Sequence, residues 1–277
     1  MDRRGSEWRL VHEESYRGPM NMALDEVAAA SAAAGGPRTL RVYRWEPSTL
    51  SLGYHQDPTT VDWEFCECEG ITVTRRPTGG GGIYHDSYGD ISYSIVAPAD
   101  ELPGDLMETY ELLCEPIFDA FDRLGVAAEF ADEPRPEIHR PACYLRELHP
   151  AHDVVAGGRK LSGNAQYRRR DAVIQHGSIT FESRPERHLS TFSKPETTPK
   201  EFTERVTSLK EEGVGERERA VEALEGALKE WVDAEDGAWT DDEMAAARER
   251  ADGKFASEAW NHNGEDPLAR STKSKEG

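Results

Sequence analysis

No lysine precedes Lys160 in this chain of 277 residues; every earlier side-chain cation other than a charged histidine is an arginine. Basic charge is scarce as a whole, with 33 lysines and arginines against 53 aspartates and glutamates and a formal net charge of −20. Phosphate backbones and anionic membranes repel so acidic a surface, which argues against non-specific binding to either, so neither a nucleic acid nor a membrane is expected as a partner. The acidic excess resembles the hydrated shell of a salt-adapted cytoplasmic protein. No apolar run approaches the roughly 20 residues of a membrane-spanning helix. Residues 1 to 7 are too polar for a secretory signal. Cysteine is limited to Cys66, Cys68, Cys114 and Cys143. Cys66-x-Cys68 has no second pair at zinc-finger spacing, so no metal centre is expected there, and the thiols read as free in a reducing cytoplasm.

Against these absences stand two concentrated motifs. The first is Arg75-Arg76-Pro77-Thr78-Gly79-Gly80-Gly81-Gly82-Ile83-Tyr84-His85-Asp86, between the strand-like stretches Gly70–Thr74 and Ile91–Val96. Four successive glycines weaken a fold, because glycine loses the most backbone entropy and packs nothing. They do let a ligand approach the backbone, whose N–H groups suit anionic oxygens. A plain hairpin would need only two to five turn residues and neither the arginine pair nor His-Asp. The second motif surrounds the first lysine: Gly157-Gly158-Arg159-Lys160-Leu161-Ser162-Gly163-Asn164-Ala165-Gln166. A lysine there suits a phosphate or carboxylate, although Gly-Gly before Lys is also ordinary turn chemistry.

Helical spacing marks Met20–Ala34, Val61–Glu69 and Asp105–Leu124, and alternation marks strands at Leu40–Trp45, Thr49–Tyr54 and Val173–Glu182. Val126–Phe130 and Ala142–Leu145 read as short strands, and Val154–Ala156 with Leu161–Tyr167 as a hairpin over Gly157-Gly158. The chain turns helical and highly charged from Thr203, and polar from Gly264. Strands and helices mix without βαβ spacing, which indicates an α+β fold with a mixed sheet and flanking helices. The expected organisation is a catalytic domain over 1–200, a helical C-terminal extension over 201–262 and a disordered tail over 263–277.

The chain from about residue 6 to about residue 262 resembles the lipoate-protein ligases and octanoyl or lipoyl transferases. The resemblance rests on Arg75 to Asp86, Arg159 to Gln166, and Ile174-Gln175-His176-Gly177-Ser178-Ile179. Asn21-Met22-Ala23-Leu24-Asp25-Glu26, Leu40 to Trp45 and Lys254 to Asn261 match as well. A biotin-protein ligase fits less well, since its Gly-Arg-Gly-Arg loop is absent. A member that kept the fold and lost catalysis is disfavoured by the intact Arg75, Gly79 to Gly81, His85 and Lys160.

The resemblance implies the biotin/lipoate protein ligase fold, related to class II synthetases, and attachment of an octanoyl or lipoyl group to a lysine of lipoyl-domain proteins. The acceptors implied are the E2 subunit of 2-oxoacid dehydrogenases and the glycine cleavage H protein. Two mechanisms fit. In a transferase, Cys143 takes the acyl group as a thioester from an octanoyl carrier or from another acylated protein, Lys160 promotes the thiolate or stabilises the oxyanion, and no cofactor is needed. In a ligase, ATP and magnesium activate free lipoate as an adenylate, and Asp153 helps hold the metal. Cys143-Tyr144 stands where cysteine-dependent transferases carry a Cys before an aromatic residue, while His152-Asp153 keeps half of the ligases' Asn-Asp pair; the transferase is ranked first. Catalysis is assigned to Lys160 and Cys143. Substrate binding falls to Arg75, Arg76, Thr78, Gly79, Gly80, Gly81, His85, Gly163, Asn164, Ala165, His176 and Gly177. His85 either positions ligand and proton or caps its loop; His176 packs near the acyl pocket. Cys114 reads as inert.

Overall fold

A computed structural model describes residues 7–132, 134–148, 153–168 and 171–269. The chain begins β1 (Trp8–Tyr16), α1 (Gly18–Ala33), β2 (Arg38–Trp45), β3 (Thr49–Leu52), α2 (Trp63–Cys68), β4 (Thr72–Arg75), β5 (Ile83–His85) and β6 (Asp90–Pro98). It continues α3 (Leu106–Leu124), β7 (Ala128–Phe130), β8 (Asp153–Ala156), β9 (Arg159–Arg168) and β10 (Ala172–Thr180). It closes α4 (Pro185–Ser190), α5 (Pro199–Arg205), α6 (Arg217–Val232), β11 (Glu235–Gly237), α7 (Asp241–Arg250) and α8 (Glu258–Asn263).

Eight strands form a mixed sheet in the order β11-β1-β2-β6-β10-β9-β8-β7, and three form a second sheet, β4-β3-β5. Central β6 has every residue buried, so both faces of the large sheet are covered. Its odd positions Ile91, Tyr93, Ile95 and Ala97 join Leu113, Ile117 and Phe121 of α3 and Leu224 and Leu228 of α6. Its even position Val96 meets Ala28, Ala29 and Ala32 of α1. Alternation across a strand thus splits one sequence between two helical layers. Small alanine side chains let α1 lie close on the sheet. That closeness buries Asp25, whose carboxylate accepts from Arg41 Nη1 at 2.9 Å and from the Ser94 hydroxyl at 2.7 Å.

Leu40–Trp45 and Thr49–Tyr54, adjacent in sequence, separate into β2 and β3 of different sheets. Because β4 and β5 lie on opposite sides of β3, the glycine segment between them crosses the end of β3 and is not a hairpin turn. Ala142–Leu145, expected as a strand, is a 3-10 turn over Cys143–Leu145. Leu145 N bonds back to Ala142 O at 3.0 Å, closing a turn where a ladder bond would run outward. Segment 201–262 is built into the main architecture: β11 pairs parallel with β1, and α6 shares a core with α3. Within the stretch expected as a disordered tail, Asp266 pairs with Lys254 at 3.1 Å, and residues 270–277 lie outside the described residues, as does His152.

Arg75 ties these parts together. Its buried Nη1 donates to the carbonyls of Gly53, Tyr54 and Gln56 at 2.9, 2.8 and 2.8 Å. Nε and Nη2 reach the carbonyls of Trp260 and Asn261 on α8, Nη2 to Asn261 O at 2.7 Å. Trp260 Nε1 returns a bond to Arg75 O at 2.7 Å. Burial pulls the guanidinium below its usual pKa. Arg75→Met leaves a group of buried carbonyls without donors and is expected to destabilise the chain by about 3–5 kcal/mol. Urea unfolding followed by tryptophan fluorescence measures this; a loss under about 1 kcal/mol would contradict the clamp.

Candidate active site

Between the two sheets lies a cavity of about 780 Å³, within the range of roughly 300–1,000 Å³ usual for small-molecule sites. Its wall brings together Arg76, Gly79, Gly80, His85, Cys143, Asp153, Lys160, Gly163, Asn164, Ala165, His176 and Gly177. Three residues expected in the binding set are not in that wall. Arg75 points the other way, into the clamp with α8. Thr78 is buried behind the loop, bridging Arg76 Nε at 3.1 Å and His176 Nε2 at 2.7 Å. Gly81 lies against the cysteine segment, where an added Cβ would stand 2.8 Å from Cys143 N.

Lys160 is the centre of the site. Its Nζ donates to the Asp153 carboxylate at 2.8 Å, the Cys143 carbonyl at 3.2 Å and Cys143 Sγ at 3.8 Å. Those three acceptors match the three N–H groups of an ammonium. Burial disfavours charge on Lys160, but Asp153 and Cys143 outweigh it and the pKa is raised, so the group is a fixed cation. The opposite edge of the pair is open because residue 163 is glycine. A Cβ there would stand 3.3 Å from Lys160 Cε and 3.7 Å from Cys143 Sγ, in the space a ligand would use above the sulfur.

The glycine loop is shaped by Arg76 from within. Its buried guanidinium donates to Ser51 O at 2.9 Å and to the carbonyls of Gly79 and Gly81 at 2.7 Å each. Burial lowers its pKa to about 10, which leaves it charged at neutral pH. Gly80 has φ +94°, a left-handed conformation, and a Cβ there would lie 2.8 Å from Arg76 Nη2. With the loop carbonyls turned to Arg76, the N–H groups of Gly79, Gly80 and Gly81 have no acceptor among the described residues. Gly82 N donates to Pro141 O at 2.6 Å and Cys143 N to Gly82 O at 2.8 Å, which docks the loop on the cysteine segment.

His85 pairs with Asp90 and not with its neighbour Asp86: Nδ1 is 3.1 Å from Asp90 Oδ2, and Nε2 is 2.9 Å from Ser51 Oγ. It also stacks on Trp45 at 4.1 Å. Asp86 instead accepts from the N–H groups of Tyr88 and Gly89. His176 is buried with Nδ1 3.7 Å from Asp25 Oδ2, and burial lowers its pKa against the pull of Asp25. It is therefore a neutral imidazole near pH 7. Asp153, expected to hold magnesium in a ligase, has Lys160 as its partner; no group of three or more His, Cys, Asp or Glu suited to a metal exists among the described residues. The wall also contains Tyr43, Trp45, Tyr110, Arg140, Arg146 and Gln166, which the sequence reading did not select. Gln166 stood at the end of the Lys160 motif, and Tyr43 and Trp45 lay in the matched strand Leu40–Trp45; no sequence signal marked Tyr110, Arg140 or Arg146.

The sequence profile described as the lipoyl protein ligase A/B catalytic domain matches residues 17–230. An octanoyltransferase LipM from Kyrpidia tusciae is 33% identical, over 92% of this chain and 98% of that protein. One from Geobacillus kaustophilus is 31% identical, over 92% of this chain and 97% of that protein. Among solved structures, a lipoate-protein ligase A bound with ATP superposes with a TM-score of 0.77 and 26% identity, covering 92% of this chain and 98% of that one. A bipartite lipoate protein ligase from Thermoplasma acidophilum, studied with its E2 lipoyl domain, gives 0.75 and 25%, covering 93% and 96%.

Burial pushes the thiols of Cys66 and Cys114 up to about 12. Cys143 by contrast borders the cavity, with its sulfur 3.8 Å from the Lys160 ammonium. Iodoacetamide should therefore label Cys143 and exposed Cys68 in the native protein and spare Cys66 and Cys114. Lys160→Met should slow labelling of Cys143 about fivefold without changing Cys68. Peptide mass spectrometry reads both, and equal labelling of all four thiols would contradict the arrangement.

Proposed function

The chain belongs to the lipoyl protein ligase A/B catalytic-domain family, and on that premise we propose that it is an octanoyltransferase that works through a Cys143 thioester. The observation that carries this reading is the 3.8 Å approach of Lys160 Nζ to Cys143 Sγ in the cavity wall. The identity to octanoyltransferases across nearly the whole chain supports it.

The chemistry follows from the geometry. The Cys143 thiolate, held beside the Lys160 ammonium, attacks the carbonyl of a donor thioester. The carbonyl oxygen takes negative charge, and unspent N–H groups of the glycine loop with Lys160 offset it. The donor C–S bond breaks, its thiolate leaves and takes a proton, and the acyl group stays on Cys143. An amine from the acceptor then attacks the new thioester. The amide bond forms, the bond to Cys143 Sγ breaks, and the proton lost by the nitrogen goes to the released sulfur or to water. The donor thioester drives the reaction, so ATP is not required. On this reading the donor is an octanoyl carrier and the acceptors are lipoyl-domain proteins, among them E2 subunits and the glycine cleavage H protein. The apolar and aromatic part of the wall, Met22, Tyr43 and Trp45, accommodates the alkyl chain.

An ATP-dependent lipoate ligase is the second reading, favoured by the likeness to a ligase bound with ATP. The two are separated by one assay. Mixed with an octanoyl thioester and no ATP, the protein should gain the mass of one octanoyl group at Cys143, removable with hydroxylamine. Cys143→Ala should cut transfer to a lipoyl domain by about 1,000-fold or more. A fully active Cys143→Ala enzyme that stops without ATP would reverse the order of the readings.

Asp153 has a distinct signature. Lys160 is faced by Asp153, Cys143 and Tyr144, and Asp153 is the main group opposing desolvation. In Asp153→Asn the burial is left largely uncompensated, so the Lys160 pKa falls. The cation is then lost at lower pH than in the parent. The alkaline limb of the acylation profile should shift down by at least about one pH unit. A profile superimposable on the parent's would contradict this role.

A further inference from the structure

The loop that presents Cys143 carries two guanidinium groups that the chemistry above does not use. Arg140 and Arg146 lie three residues before and three after Cys143, and both line the cavity. Arg140 is exposed and Arg146 half-buried. Neither side chain has an ion-pair or hydrogen-bond partner among the described residues. Arg146 is set against the glycine loop, with its Cδ 2.9 Å from where a Cβ on Gly81 would stand. The loop itself is pinned, since Ile138 N and Leu148 N bond to Leu145 O and Arg135 O at 2.9 and 3.0 Å. The backbone that carries these arginines is therefore held at the rim.

What sets these two cations apart is their place: both line the cavity beside Cys143 in a chain of net charge −20. The cavity wall carries four cations, Arg76, Arg140, Arg146 and Lys160, against three carboxylates, Glu137, Glu147 and Asp153. Asp153 is engaged by Lys160. Exposed Glu137 and Glu147 stand nearby without pairing to either arginine. A half-buried guanidinium without a counter-ion is unfavourable, and an anionic ligand removes that penalty. The planar fork of arginine matches phosphate oxygens. The two flanking glutamates disfavour a dense polyanion and suit a ligand of low charge.

We propose that Arg140 and Arg146 hold the phosphate of a pantetheine-type thioester arm while its acyl group reaches Cys143. The proposal rests on the acyltransferase reading and names its donor class. The alternative source of a phosphate is an acyl-adenylate. Its phosphorus is bonded through oxygen to the reacting carbonyl, which puts the charge at Lys160. Arg140 stands at the exposed rim of the cavity, three residues before Cys143, a position that suits a phosphate separated from the acyl group by a linker.

The test compares S-octanoyl-pantetheine, S-octanoyl-phosphopantetheine and octanoyl-adenylate as donors, with the Cys143 mass increase giving kcat/KM for acylation. The parent should prefer the phosphorylated thioester by about tenfold. In Arg140→Gln/Arg146→Gln that ratio should fall to about two or less. Because Arg140 is exposed, Arg140→Gln alone serves should the double variant misfold, and its ratio should fall by about threefold. A parent ratio near one, a ratio that both variants preserve, or sensitivity confined to octanoyl-adenylate overturns the assignment while leaving the acyltransferase reading intact. No Cys143 adduct from either thioester overturns both.

Discussion

A buried ammonium sets the geometry of this site. Lys160 is removed from water, which alone would drive it neutral, and it remains charged because Asp153, the Cys143 carbonyl and Cys143 Sγ converge on it. Two of those acceptors belong to a loop and one to β8, so the cation is stable only when hairpin and loop are in register. A β-bulge supplies that register. Ser162 pairs with Val154 and Lys160 with Val155, which leaves Leu161 as the extra residue. In a regular strand, residues 160 and 163 would face opposite sides. The bulge lets Lys160 and Gly163 both face the cavity, while Leu161 enters the main core.

The glycine loop follows the same logic at its own scale. A flexible run of glycines would be a poor cradle unless something ordered it. Arg76 does so by drawing loop carbonyls inward, which leaves neighbouring N–H groups without internal partners. The loop is then joined to the cysteine segment through Gly82 and Cys143. Thiol, cation and N–H donors thus come from three chain segments whose relative positions are held by backbone bonds and two buried charges.

Much of this was legible in the sequence, and the reason is chemical rarity. A first lysine flanked by glycines, a cysteine before an aromatic residue, and four glycines after two arginines are patterns that ordinary packing does not call for. The hairpin under Lys160 and the long helices also followed from turn residues and apolar spacing. What stayed hidden was partnership. Arg75 and Arg76 are chemically identical neighbours, yet strand alternation sends one to α8 and the other under the loop. Sequence shows the Asp153 carboxylate but not the lysine of the next strand that faces it. His85 sits beside Asp86 in sequence and pairs with Asp90 through the fold. β1 escaped notice because His12, Glu13 and Glu14 interrupt its alternation at a bulge.

The C-terminal segment illustrates why such partnerships govern the site at a distance. By composition it is a charged helical appendage. In the structure, Trp260 and Asn261 supply acceptors for Arg75, and Asn261 Oδ1 receives the Arg75 N–H at 2.8 Å. Arg75 is the last residue of β4, and the glycine loop begins at the next position. The same guanidinium holds the carbonyls of Gly53, Tyr54 and Gln56, and Tyr54 N bonds to Thr78 O at 2.8 Å inside the loop. A perturbation of α8 therefore reaches the loop through one residue and two short backbone links. Helix α8 belongs to the architecture of the cavity even though it contributes no side chain to its wall.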